Sequence, residues 1–192
     1  MILDIYDFDG TLYDGDSTVD FWRFCVRRQP SLLVYLPVQL WGVFGMKLHL
    51  LPPEKGKSLF FSFLRRLRQP DTCVTAFWAA HRDRLAGWFA PLPEATTVVI
   101  SASPAFLLRA VCEQAGAQEV LATDMDSATG RIRGRNCKGA EKVRRLHERF
   151  GEAVTVRSMY TDSVRADAPL LALAQRRFLV KHGRVTEWEE QG

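Results

Sequence analysis

Strand and helix patterns alternate along the second half of the chain, and this alternation limits the possible folds more than any other feature of the sequence. Short runs rich in β-branched residues predict strands at 96–103, 118–124, 153–162 and 176–183. Longer stretches between them predict helices at 104–116, 138–151 and 167–175. With a first strand at 2–8, the sequence predicts an α/β protein with a Rossmann-like, mainly parallel sheet and helices on both faces.

Residues 15–91 interrupt this rhythm. The stretch contains no convincing strand pattern and reads as three or four helices punctuated by prolines. We interpret it as an all-helical cap inserted between the first strand and the rest of the sheet. The predicted division is therefore a core of residues 1–13 and 92–192 and a helical cap domain at 14–91.

Acidic residues crowd the end of the first predicted strand, in the segment DIYDFDGTLYD at positions 4–14. Desolvating a carboxylate without a partner costs on the order of several kcal/mol, so a positive group is expected beside these acids. Asp7 and Asp9 fall where the strand ends, at the carboxyl edge of the predicted sheet, where ligands bind in such folds. The same edge is predicted to hold Ser101, Lys138, Asp162 and Asp167.

Two or three carboxylates converging with a lysine suit a hard divalent cation. Mg²⁺ takes oxygen ligands, keeps several waters and commonly bridges carboxylates to a substrate phosphate. A lysine and a serine hydroxyl would neutralise and orient the remaining phosphate oxygens. The sequence therefore predicts a magnesium ion and a phosphate group at this edge.

Composition argues against several other classes of protein. With 47% hydrophobic and 25% charged residues the chain is an ordinary globular protein. Its four cysteines lie far apart without a C-x-x-C pair, which indicates neither a zinc framework nor a disulfide scaffold. The N-terminus lacks a signal-peptide pattern, so a cytoplasmic location is expected. The net charge is +4, but 22 acidic residues are interspersed with the basic ones, so no nucleic-acid partner is expected.

These motifs, taken in chain order, resemble the four-motif signature of the haloacid dehalogenase superfamily of phosphohydrolases. The segment NCKGAEKV and a helical insertion straight after the first motif are similar to the phosphoserine phosphatase-like branch. The resemblance covers residues 1–13 and about 92–192. The matching residues are D-x-D-G-T at Asp7, Asp9, Gly10 and Thr11, then Ser101, Lys138 and the pair Asp162 and Asp167.

The resemblance implies a magnesium-dependent phosphomonoester hydrolase that forms an aspartyl phosphate. Asp7 would be the nucleophile, and Asp9 would protonate the leaving oxygen and then deprotonate the hydrolytic water. Mg²⁺ would be held by Asp7, Asp162 and the main-chain carbonyl of Asp9, with Asp167 in support. The phosphate would be bound by Thr11, Ser101 and Lys138.

The implied substrate is a small phosphorylated metabolite such as phosphoserine or a related ester. Asp16 lies near the place where phosphoserine phosphatases carry a glutamate that binds the substrate amine. The resemblance therefore makes Asp16 a possible substrate-binding residue. Its side chain is one methylene shorter than that of glutamate, which weakens the case for phosphoserine. Asp16 also suits the N-cap of the first inserted helix. A non-catalytic, phosphate-binding regulatory module is an alternative, but the loss of an acid that would mark it is not seen at Asp7, Asp9 or Asp162.

Residues 31–46, SLLVYLPVQLWGVFGM, form an uncharged apolar run. The run is too short for a transmembrane helix and contains a proline, so we expect a helix buried in the cap. Alternatively, Leu36, Leu40, Trp41 and Phe44 form an exposed surface that rests on an anionic membrane or receives the tail of a lipid phosphate. Since some helical-cap members of the superfamily dephosphorylate phosphatidylglycerophosphate, the alternative function is a lipid-phosphate phosphatase.

Overall fold

A six-stranded sheet forms the centre of the protein. The computed structural model describes residues 1–188. The first five strands in the chain run parallel, and the sixth returns antiparallel to the fifth, a hairpin that the sequence did not predict. The predicted α/β class is confirmed. The strands are β1 (Ile2–Tyr6), β2 (Thr96–Pro104), β3 (Glu119–Thr123), β4 (Thr155–Thr161), β5 (Ala174–Lys181) and β6 (Arg184–Glu187), in the order β3-β2-β1-β4-β5-β6.

Helices connect the strands and fill the segment between β1 and β2. In that segment, short 3₁₀ helices at Pro30–Tyr35, Phe61–Arg66 and Arg82–Arg84 accompany four α-helices. The helix predicted at 167–175 ends earlier than expected, because the chain has already entered β5 at Ala174. The α-helices are α1 (Ser17–Arg28), α2 (Leu36–Lys47), α3 (Pro53–Phe60), α4 (Pro70–Ala80), α5 (Ala105–Gln114), α6 (Ala140–Phe150) and α7 (Val164–Leu171).

Two hydrophobic clusters lie against the sheet, and the alternating side chains of β1 divide between them. Leu3 and Ile5 join a cluster completed by α6 and α7, whereas Tyr6 joins a larger cluster that includes residues of α1, α4 and α5. The indole Nε1 of Trp78 in α4 donates to the carbonyl oxygen of Leu107 in α5 at 2.6 Å. The inserted helices therefore share a continuous core with the sheet, and a separate cap domain at 14–91 stays a prediction.

Helix α2 packs through a face of glycine and glutamine. Its buried residues are Gln39, Gly42 and Gly45. A Cβ atom at Gly42 would lie 2.6 Å from the carbonyl oxygen of Gly56 in α3, so only glycine permits this close crossing of α2 and α3. The Gln39 side chain accepts from Nε1 of Trp22 at 3.1 Å and donates to the carbonyl oxygen of Phe60 at 2.8 Å. The polar groups of Gln39 thus have hydrogen-bond partners inside the protein, and the large apolar residues of α2 lie away from its contact with α3.

The opposite side of α2 and its flanking turns exposes a set of large apolar side chains. Trp41 and Phe44 are each 54% exposed, whereas Leu36 is half-buried. The expectation that residues 31–46 are buried is therefore wrong for this side, because the close crossing with α3 uses the glycine face. No helix within residues 1–188 is long and apolar enough to cross a bilayer. We call this surface the apolar face; it consists of Leu33, Val34, Val38, Leu40, Trp41, Phe44, Leu48 and Leu50.

Candidate functional site

A cavity of about 830 Å³ lies at the carboxyl edge of the sheet, between the core loops and helices α2 and α3. Its wall contains five of the residues that the sequence predicted for the site, together with several polar residues that it did not predict. The predicted residues in its wall are Asp7, Asp9, Ser101, Lys138 and Asp167, and the others that bear on its chemistry are Glu54, Lys57, Asn136 and Lys142.

A tight turn directly after β1 places the first two acids. The backbone N–H of Asp7 donates to the carbonyl oxygen of Tyr160 in β4 at 2.9 Å, which extends the sheet by one residue. The chain then turns through Gly10, which has a φ of +75°. A Cβ atom at Gly10 would collide with the carboxylate of Asp162, so glycine meets two requirements here: the left-handed conformation and the approach of that acid.

Lys142 is the lysine that contacts Asp7. Its Nζ lies 2.7 Å from Oδ1 of Asp7 and 2.6 Å from Oδ1 of Asp167, the latter an ion pair without hydrogen-bond alignment. The Lys142 residue is only 3% exposed. This placement corrects the assignment of Lys138 to that position, because Lys138 precedes α6 and is exposed at the rim of the cavity. The sequence analysis did not identify Lys142.

The two acids that follow β4 have different surroundings. The carboxylate of Asp167 is buried, and its Oδ2 accepts from Oγ1 of Thr161 at 2.7 Å. Asp162 is half-buried beside Gly10, outside the cavity wall, and its carbonyl oxygen accepts from Nζ of Lys181 at 2.6 Å. Asp167 therefore faces Lys142 and the cavity, while the carboxylate of Asp162 lies against Gly10.

The carboxylate of Asp9 is held on both oxygens. Oδ1 accepts from the backbone N–H of Ser17 at 2.6 Å, and Oδ2 accepts from Oγ of Ser103 at 2.5 Å. Ser17 is the first residue of α1, where unpaired N–H groups and the helix dipole favour a negative charge. The sequence analysis found neither serine, although Ser103 stands only two residues after Ser101.

Three further predicted residues occupy quite different positions. Ser101 is buried in the cavity wall, where its Oγ accepts from the backbone N–H of Ser103 at 3.1 Å. Thr11 is buried outside that wall, and its hydroxyl has no hydrogen-bond partner among residues 1–188. Asp16 is exposed and caps α1 by accepting from the N–H of Val19 at 3.0 Å. The geometry therefore supports the capping role of Asp16, not a substrate contact.

Burial raises the pKa of all three acids around the turn. It raises the pKa of Asp7 to about 7, with Lys142 opposing the shift and Asp167 adding to it. Burial also raises the pKa of Asp9, although the hydrogen bonds from Ser103 and Ser17 lower it. The pKa of Asp162 is raised by burial, and the charge of Asp167 contributes to that shift. More negative charge converges here than Lys142 neutralises, which favours an added cation.

The comparison with known proteins identifies the family. The sequence model of the haloacid dehalogenase-like hydrolases matches residues 5–172. The chain belongs to this family. Protein CicA of Caulobacter vibrioides is similar at 29% identity over 197 residues, which span 92% of this chain and 84% of that protein.

Solved structures support the same fold. A protein with unknown function from Bordetella pertussis Tohama I has a TM-score of 0.68 at 20% identity, with 92% of this chain and 88% of that chain covered. A probable phosphoserine phosphatase from Vibrio cholerae has a TM-score of 0.59 at 14% identity, with 92% of this chain and 55% of that chain covered. The predicted superfamily and its hydrolase class are thus confirmed by the family model, and the fold is similar to that of a probable phosphoserine phosphatase.

The donor atoms around Asp7 fit the magnesium ion of haloacid dehalogenase-like phosphatases. Within residues 1–188, no three acidic, histidine or cysteine side chains are already grouped as a metal cage. Mg²⁺ does not need such a cage, since it is usually held by one or two carboxylates together with waters and substrate phosphate oxygens. Asp7 precedes the Gly10 turn and the carboxylate of Asp162 lies against Gly10, so both can offer carboxylate oxygens near this turn, and the excess negative charge suits a cation.

The two lysines near α6 should differ sharply in their effect on stability. Lys142→Met leaves Asp7 and Asp167 buried without their cation, so we expect a loss of about 3 kcal/mol in the free energy of unfolding. Lys138→Met removes an exposed charge and should change it by no more than about 0.5 kcal/mol. Urea denaturation of both variants measures the difference, and equal losses would contradict the position assigned to Lys142.

Proposed function

We propose that this protein is a magnesium-dependent phosphomonoester hydrolase that acts through an aspartyl-phosphate intermediate on a small phosphorylated metabolite, such as phosphoserine or a related ester. The observation that carries the proposal is the placement of Asp7 and Asp9 in one cavity wall, with Lys142 against Asp7. The family supports the reaction class, because its members are hydrolases of the same fold.

The first step transfers the phosphoryl group to the protein. An Oδ atom of Asp7 attacks phosphorus in line with the leaving oxygen, so that the new P–O bond forms as the ester bond breaks. Asp9 donates its proton to the leaving oxygen, a role that its raised pKa favours. Lys142, beside Asp7, offsets negative charge as the phosphate enters.

The second step returns Asp7 to its starting state. Asp9, now ionised, accepts a proton from water, and the water oxygen attacks phosphorus and displaces the Asp7 carboxylate. The hydrogen bonds from Ser17 and Ser103 keep the Asp9 carboxylate in one orientation through both steps. Inorganic phosphate leaves, and the protons balance over the cycle.

Several groups would assist the two acids. Mg²⁺ would be held by Asp7, Asp162 and the main-chain carbonyl of Asp9, and when bound it would neutralise charge on the phosphoryl oxygens. Asp167 would orient Lys142 rather than ligate the metal directly. Ser101, in the cavity wall, would bind the phosphate through its hydroxyl, whereas Thr11 lies outside that wall and would need its unpartnered hydroxyl to turn toward the site.

Substitution of the two acids tests this chemistry. Asp7→Asn should abolish the phosphoenzyme and turnover of p-nitrophenyl phosphate, because an amide is not a competent nucleophile. Asp9→Asn should lower kcat by about two to four orders of magnitude, the usual contribution of a positioned acid or base. A folded Asp7→Asn variant that turns over at the parental rate would refute the mechanism. A wild-type protein that binds phosphate but hydrolyses no phosphate ester would instead favour the non-catalytic, phosphate-binding module.

Metal removal tests the cofactor separately. EDTA should abolish hydrolysis and Mg²⁺ should restore it, whereas Ca²⁺ should restore it poorly because its larger, looser coordination changes the in-line geometry. Mg²⁺ should also raise the melting temperature of the wild type more than that of Asp162→Asn, since a ligand of the native state stabilises it. Full activity after exhaustive chelation would contradict the metal site.

A second candidate function is hydrolysis of a lipid phosphate at an anionic membrane surface. The apolar face accounts for eight of the twelve exposed large hydrophobic residues within residues 1–188. Such a concentration of exposed apolar surface marks a contact site more often than a solvated surface. Arg27, Arg28 and Lys47, at the ends of α1 and α2, are exposed cations near it, as an anionic surface requires.

The apolar face also continues to the candidate active site. Met46, in the last turn of α2, lines the cavity that contains Asp7, while Phe44 and Leu48 on either side of it belong to the apolar face. A phosphorylated headgroup in the cavity would therefore leave its acyl chains beside exposed apolar side chains. This continuity favours a lipid as the alternative substrate.

Sedimentation with liposomes tests the membrane contact. We expect binding to vesicles rich in phosphatidylglycerol at low salt, weaker binding as salt rises, and a loss of binding in Trp41→Glu. Leu92→Glu is the matched control, because Leu92 is 51% exposed but lies outside the apolar face. Protein that remains in the supernatant at low salt would contradict the lipid function and leave the small-metabolite proposal in place.

A further inference from the structure

Lys57, on the inserted helix α3, contacts residues of the core. Its Nζ, at the end of a side chain on α3, donates to the carbonyl oxygen of Ala102 at 2.8 Å and to Oδ1 of Asn136 at 2.9 Å. Two neighbours on α3 also hold core loops: Oε1 of Glu54 accepts from the N–H of Asn136, and Oγ of Ser58 accepts from the N–H of Ile132, both at 3.1 Å. Helix α3 is therefore fixed against the core beside the cavity.

The ammonium of Lys57 lacks a counter-ion. Within residues 1–188, no carboxylate lies at salt-bridge distance from it, and both of its hydrogen-bond acceptors are neutral. Lys142, in the same cavity, instead contacts two carboxylates. The pKa of Lys57 is lowered to about 8, mainly by burial; the charge of Lys138 contributes to the lowering, and the charges of Asp9 and Asp16 oppose it. A partly buried ammonium with only neutral partners is poorly compensated, so an anion placed there would be stabilised.

Two more cations stand at the same side of the cavity. Arg135 and Lys138 are exposed in its wall, and within the described residues neither forms a salt bridge. Lys57 and Asp9 contact adjacent residues at the end of β2, since Lys57 donates to the carbonyl oxygen of Ala102 and Asp9 accepts from Oγ of Ser103. In the proposed reaction Asp9 protonates the leaving oxygen. The leaving group therefore extends toward Lys57, and a cavity of about 830 Å³ has room for much more than the phosphate that reacts.

We propose that Lys57, Arg135 and Lys138 form a subsite for a second anionic group, which the substrate carries on its leaving moiety. The inference rests on the proposed phosphatase function and narrows the substrate to a phosphomonoester with an additional carboxylate or phosphate. Both anions accept charge-assisted hydrogen bonds from lysine and arginine. A phosphodiester within a lipid headgroup has the same chemistry as a small soluble bis-anion, so the source of the anion is tested separately.

Matched pairs of substrates measure how much a second anionic group raises kcat/KM. The enzyme is assayed by phosphate release from 3-phosphoglycerate and glycerol 3-phosphate, which differ by a carboxylate, and from 1,3-propanediol bisphosphate and 3-hydroxypropyl phosphate, which differ by a phosphate. We expect kcat/KM to be about tenfold or more higher for the second-anion member of at least one pair, as a charge-assisted hydrogen bond provides. Equal values within both pairs would overturn the subsite for soluble substrates.

Variants assign that preference to Lys57. Lys57→Gln keeps a donor for Ala102 but removes the charge, and should reduce the preference to about threefold or less. Lys55 lies two residues before Lys57 on α3 and is exposed. Lys55→Gln therefore removes the same charge outside the subsite and should keep the wild-type ratio. Arg135→Gln and Lys138→Gln, which are exposed and should fold normally, are expected to reduce the ratio partially. A ratio that survives all three subsite substitutions would overturn the proposal.

The outcomes separate this inference from the function on which it rests. Hydrolysis of p-nitrophenyl phosphate with no preference within the soluble pairs contradicts the subsite alone. Absence of hydrolysis with every phosphate ester, in the presence of Mg²⁺, contradicts the proposed function and the subsite together. A preference seen only with short-chain phosphatidylglycerophosphate, lost in Lys57→Gln and kept in Lys55→Gln, supports the subsite and identifies a lipid headgroup as the source of the anion.

Discussion

The negative charge at the carboxyl edge of the sheet is the constraint on which the rest of the site depends. Asp7 follows β1 and Asp167 lies in α7, and the two are held together by one buried ammonium, that of Lys142. Two carboxylates that both lie against the same ammonium would repel each other strongly if Lys142 were absent. Helix α6 must therefore dock with this residue facing inward. Arg145 secures the same register from outside, because its guanidinium donates to the carbonyl oxygens of Ala122 and Arg135 at 2.5 and 2.7 Å.

Much of this architecture could be predicted from the sequence, for identifiable reasons. Buried parallel strands read as runs of β-branched residues, and the carboxyl ends of such strands share an edge, so Asp7, Asp9, Ser101 and Asp167 were placed together correctly. The sequence could not show whether Lys138 or Lys142 contacts the acids, because residues four apart lie on the same face of a helix. What decides between them is the start of α6 at residue 140, and helix boundaries are set by tertiary contacts that periodicity does not report.

The interpretation of α2 failed for a different reason. Hydropathy gives the average character of a segment but not which side of it meets the protein. Gln39, Gly42 and Gly45 recur every three residues, a spacing that puts them on one face of a helix. That face permits a close approach of backbones that larger side chains would prevent, and Gln39 satisfies its polar groups across it. Shape complementarity therefore outweighed hydrophobic burial in orienting the helix.

The same glycine crossing connects the two surfaces of the inserted helices for which functions are proposed. On one side of it, α3 directs Lys57 to the carbonyl of Ala102 and to Asn136 in the core. On the other side, α2 exposes Trp41 and the rest of the apolar face. Because Gly42 and Gly56 bring the two backbones into contact, α2 cannot move far without α3, and a displacement of α3 alters the position of Lys57. A shift of α2 would also reach the reacting acids, because Trp22 of α1 donates to Gln39 and Ser17 of α1 donates to Asp9. Within the part of the chain that the structure describes, Lys142, which lies on α6 against Asp7 and Asp167, has no such contact with the glycine crossing.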